Sequence, residues 1–90
     1  MNIKTLTDFK RYLSAGGHIQ LVDIDGQTPP EKIAHPRTVE KMQTNSCRFT
    51  GGSWLCFPKA SGFTAYTKDG AQFVRLQDDP KSWLIYKIIA

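Results

Sequence analysis

Two aspartates, two positions apart at the end of an apolar run, are the first residues whose type and spacing suggest chemistry. Residues 21–28 read Leu-Val-Asp-Ile-Asp-Gly-Gln-Thr, which places Asp23 and Asp25 at the mouth of a strand that runs into a glycine turn. A carboxylate held there could attack phosphorus while its neighbour handles the proton. His18, His35, Cys47 and Cys56 are the other side chains with ligand or nucleophile chemistry.

The Asp-x-Asp-Gly stretch resembles, over eight residues, the nucleophile motif of haloacid dehalogenase-type phosphatases. That family implies an aspartyl-phosphate mechanism with a hydroxyl, a lysine and magnesium. These groups arrive on successive parallel strands joined by crossovers of a dozen or more residues. The segment that follows here, DGQTPPEKIAHP, carries adjacent prolines and reads as a loop. Gln27 also separates Gly26 from Thr28, where the family places threonine directly after glycine. Asp78-Asp79 could stand in for a downstream metal pair, but QDDPKS reads more simply as a loop before the last strand. Asp23 and Asp25 are therefore expected to be turn residues. Neither histidine has a cysteine or second histidine at zinc-ligand spacing, and there is no glycine-rich phosphate loop or serine nucleophile motif. The expectation is no enzyme, no metal and no cofactor.

The elements that must position any site come next. Ninety residues suit one domain with a single modest core. Apolar residues at 40% and charged residues at 22% are ordinary for a globular chain. The longest apolar run, Trp83 to Ala90, is broken by Lys87 and is far short of the ~20 residues of a membrane span. With no apolar signal region in MNIKTLTDFKR, a soluble cytoplasmic protein without membrane contact is expected. In TLTDFKRYLSAGG, Thr5 or Thr7 can cap a helix and Leu6, Phe9 and Leu13 recur at helical spacing. Gly16 and Gly17 end it, and HIQLVDI follows as a strand.

From Arg37 onward the pattern is hairpins. A two-residue Gly51-Gly52 turn pairs Phe49 with Trp54, Arg48 with Leu55 and Cys47 with Cys56. Cys47, Phe49, Trp54 and Cys56 would then share a core face, with the thiols free in a reducing compartment but close enough to oxidise. A turn at Asp69-Gly70 pairs Ala65 with Val74, Phe63 with Leu76, Tyr66 with Phe73 and Thr64 with Arg75. Its opposite face carries Thr64, Tyr66, Lys68, Phe73 and Arg75. Pro58 to Gly62 is a connector that leaves Lys59 exposed. SWLIYKII, apolar on both faces, reads as a central or barrel-closing strand. The fold expected is α+β: one N-terminal helix packed on a bent antiparallel sheet of five or six strands, with closure into a small SH3-like barrel as the limiting case.

Net charge is +4, and the whole surplus lies in residues 37–68, where Arg37, Lys41, Arg48, Lys59 and Lys68 face Glu40 alone. A localised basic excess beside aromatics suits a polyanion. The stretch RTVEKMQTNSCRFTGGSWLCFPKAS resembles small uncharacterised proteins of bacteriophages and prophages, on Arg37–Val39, Gln43–Asn45 and Trp54–Ser61. That resemblance implies a mobile-element origin and assigns no functional residue. The reading that results is a non-enzymatic binding module for single-stranded nucleic acid. Tyr66 and Phe73 form its stacking platform, and Arg48, Lys59, Lys68 and Arg75 supply phosphate contacts. A protein-binding inhibitor of a host nucleic-acid-handling enzyme or defence system is the alternative, with the same face as hot spot. A third arrangement, in which the helix covers Tyr66 and Phe73, would make the platform part of the core.

Overall fold

The computed structural model describes residues 2–89, so Ala90, the last residue of the C-terminal apolar run, lies outside the described residues. Helix α1 spans Leu6–Ser14. Thr5 caps it: its hydroxyl accepts from the Asp8 N–H at 3.1 Å, and the Asp8 carboxylate accepts from the Thr5 N–H at 3.1 Å. The two backbone N–H groups that Asp8 receives, from Lys4 first and Thr5 next, lower its carboxyl pKa from the ordinary 3.8. Gly16 ends the helix at φ +88°, a left-handed conformation that glycine adopts without strain.

Among the described residues seven strands follow: β1 (His18–Ile24), β2 (Val39–Met42), β3 (Ser46–Phe49), β4 (Trp54–Cys56), β5 (Phe63–Lys68), β6 (Ala71–Asp79) and β7 (Ser82–Ile89), with a 3-10 turn at Ala60–Gly62 before β5. The α+β class is thus present, but the strands divide into two antiparallel sheets instead of one. One is four-stranded in the order β1-β7-β6-β5, and the other three-stranded in the order β2-β3-β4. Among the described residues one bridge joins them, where Arg37 and Ile19 exchange backbone hydrogen bonds of 2.8 and 3.0 Å. No closed barrel forms among the described residues. The proline-rich loop lets only one residue pair join β1 to the segment that leads into β2, since prolines supply no backbone donors.

The two sheets turn their apolar faces toward each other. Val74, Leu76, Tyr86, Ile88, Ile19 and Leu21 come from the larger sheet, and Cys47, Phe49 and Leu55 from the smaller. Helix α1 adds Phe9, Tyr12 and Leu13, all buried. Phe9 packs edge-on to Phe57 at 6.4 Å and tilted against Phe63 at 5.6 Å. The Tyr12 hydroxyl ties the helix to the sheet by donating within 2.8 Å of the His18 carbonyl and 2.9 Å of the Ile89 carbonyl. Burial pushes the Cys47 thiol up to about 11 and the Tyr86 phenol up to about 12.

The Asp69-Gly70 hairpin has the expected register, with Tyr66 opposite Phe73 and Thr64 opposite Arg75. The Gly51-Gly52 hairpin does not. Cys47 pairs with Leu55 and Arg48 with Trp54, because the chain turns through Thr50, Gly51 and Gly52 and closes with a 2.7 Å bond from the Phe49 N–H to the Ser53 carbonyl. A one-residue slip exchanges the faces of a strand. Leu55 is therefore buried, while Trp54 and Cys56 face outward and the two thiols lie on opposite faces. The slip has a physical gain: a buried Trp54 would need a partner for its indole N–H, and Leu55 needs none.

Candidate functional site

The outward face of the four-stranded sheet is built from the aspartate turn upward. Asp25 and Gly26 take positive φ of +52° and +86° in a two-residue turn closed by 2.9 Å bonds between Ile24 and Gln27. Asp23 accepts the Gly26 N–H at 2.9 Å and the indole N–H of Trp83 at 3.0 Å. Asp25 accepts the Trp83 backbone N–H at 2.7 Å. The two carboxylates that resembled a catalytic pair thus clamp one tryptophan to the sheet. Among the described residues no three His, Cys, Asp or Glu side chains converge as metal ligands.

Trp83 in turn carries Arg75, whose guanidinium lies 4.8 Å over the indole ring. The Arg75 Nε–H is buried without a hydrogen-bond partner, and the one ion pair among the described residues is Arg48 with Glu40. Along β6, Phe73 lies on the same face as Arg75, one pleat away, and stacks on Tyr66 with centroids 5.5 Å apart and planes 17° apart. Lys87 pairs with Phe73 from β7, Ile85 pairs with Arg75, and Lys68 stands at the hairpin end of β5. Alternation sends Phe63, Ala65, Val74 and Leu76 to the core, so all these residues share the opposite surface. Helix α1 covers the inner face, and Tyr66 and Phe73 are not beneath it.

Four expected residues, Tyr66, Lys68, Phe73 and Arg75, therefore come together. Two do not. Arg48 is on the outward face of the three-stranded sheet, bound to Glu40 at 3.0 Å and opposite Trp54. Lys59 precedes the 3-10 turn in a surface cleft shared with Asp78 and Asp79. Trp83, Lys87 and Ile85 belong to the face but were not anticipated. The period-2 alternation of SWLIYKII groups them, yet only the register with β6 puts them beside Phe73, and a shift between Gln77 and Asp79 hides that register.

The assembled face offers aromatic surfaces and the cations Lys68, Arg75 and Lys87, with the carboxylates of Asp23 and Asp25 at its Trp83 end already accepting N–H groups. Such a face can stack on planar groups and hold anions between them. No protein-family profile, curated protein or solved structure matches this chain, so the site rests on its own geometry.

Proposed function

We propose that the outward face of β5, β6 and β7 binds single-stranded nucleic acid without catalysis. Bases stack beside Tyr66 and Phe73, and Arg75, Lys68 and Lys87 meet the phosphates. The observation that carries this reading is Arg75: a guanidinium held over Trp83, with no acid paired to it among the described residues, next to a stacked aromatic pair. Base–aromatic stacking tolerates any sequence, so such a module covers strands instead of reading them. A mobile-element setting, suggested by the resemblance of residues 37–61 to phage proteins, belongs to the same proposal.

Anisotropy of a labelled single-stranded oligonucleotide tests it. Binding should weaken as salt rises, and Arg75→Ala should flatten the log–log slope by about 0.7, the share of one phosphate contact on a single strand. An unchanged slope in Arg75→Ala, or no binding at low salt, contradicts the proposal.

A second reading, a protein partner, is favoured by Trp54, which is 50% exposed on the far sheet beside Arg48. Tryptophan and arginine dominate interface energetics. A nuclease-resistant partner lost with Trp54→Ala would point there.

A further inference from the structure

Between the two sheets, on the side away from Phe73, a cavity of about 200 Å³ opens to solvent. Its lining is mainly apolar, with Leu21, Ile24, Ile33, Leu84, Phe49 and Tyr86 beside the hydroxyl of Ser53. The Phe49 and Tyr86 rings lie 6.2 Å apart. Trp54 stands at the rim, and one cation, Arg37, enters the lining.

Arg37 is unusually constrained for a surface arginine. Its backbone is held by the bridge to Ile19, its guanidinium lies 4.3 Å over the Phe49 ring, and one terminal nitrogen donates to the Ser53 hydroxyl. The Nε–H is buried with no acceptor. No carboxylate lies within ion-pair distance of it among the described residues. A fixed guanidinium with no acid partner suits a carboxylate. The phenol of Tyr86 lies in the electrostatic field of the same guanidinium and lines the same cavity.

We infer that this cavity binds a small apolar monocarboxylic acid, with its hydrocarbon part among Leu21, Ile24 and Leu84 and its carboxylate on Arg37. The volume sets the size of the group it holds: a cavity of about 150 Å³ holds a benzene ring, so this one takes a ring with a short acid chain. The site is separate from the nucleic-acid face, because Leu21, Leu84 and Tyr86 point to the inner side of the sheet.

The test uses the whole chain with 3-phenylpropionate and its neutral amide, followed by nuclear magnetic resonance of the Arg37 Nε–H, the Trp54 indole and the Ile24 and Leu84 methyls. The acid should shift these signals saturably with a dissociation constant near or below about 1 mM. The amide should bind about tenfold or more weakly, as expected when a charge-assisted hydrogen bond is lost. Arg37→Gln should erase the preference for acid over amide. Since Arg37 also helps to join the sheets, the acid–amide comparison on the unaltered protein stands alone if that variant fails to fold. Equal affinity of acid and amide, or acid-induced shifts centred on Lys68 and Lys87 instead, would overturn the inference.

Discussion

A strand that ends in Asp-x-Asp-Gly supplies residue types that suit phosphoryl transfer, and in this fold one oxygen of Asp23 accepts the Gly26 N–H and the Trp83 indole N–H while one oxygen of Asp25 accepts the Trp83 backbone N–H. Asp23→Ala should cost about 1–3 kcal/mol, because the indole and glycine N–H groups lose their acceptor, and denaturant titration would read the loss. An unchanged midpoint would mean that solvent replaces the carboxylate at no cost. Cysteine behaviour follows from the hairpin slip. Cys56 is exposed, whereas Cys47 is buried and its thiol is pushed up to about 11, so it carries almost no thiolate near neutrality. An aromatic disulfide reagent should therefore titrate one thiol in the folded protein and the second only after unfolding. An intramolecular Cys47–Cys56 link under mild oxidant would restore the unslipped register.

Among the elements, those whose signals are local were legible. A threonine cap, left open between Thr5 and Thr7 and taken by Thr5, the apolar face of α1 and the Asp69-Gly70 turn each state their structure within a few residues, and the Tyr66–Phe73 pair followed from that turn. The Gly51-Gly52 hairpin was not legible, since two glycines permit a two- or a three-residue loop. The choice rests on packing far away in sequence: Leu55 enters the core, and Thr50, drawn into the loop, donates its N–H to the Thr38 carbonyl at 2.9 Å. Division into two sheets was hidden for the same reason, because strand order is decided by contacts between distant segments. At Gly62 the connector lies so close to the carbonyl of Gln77 that an added Cβ would clash with backbone. Gly62→Ala should thus lower stability by about 1–3 kcal/mol, measured by thermal melt. A melt unchanged by Gly62→Ala would show that the connector relaxes away from β6.

At the scale of the whole molecule, one core fed by two sheets and a helix leaves the outer side of the larger sheet to solvent. The core sets an alkaline limit. Cys47 and Tyr86 have folded values raised above their ordinary 9.0 and 10.0, so the unfolded chain releases these protons first. Their contribution is intact below about pH 9 and declines as pH rises toward the folded values near 11 and 12. Melting temperature should fall across that window, and Cys47→Ser should reduce the early part of the fall. The exposed side makes the functional claim. Phe73 is half-buried against Tyr66 and outside the core, so its removal should spare the fold while depriving a bound strand of its platform. The decisive measurement is the affinity of Phe73→Ala for a single-stranded oligonucleotide at low salt, taken beside its thermal melt. The account predicts a loss of ~1–3 kcal/mol in binding with the melt nearly unchanged. Binding equal to that of the unaltered protein, or a melt that collapses along with binding, would contradict it.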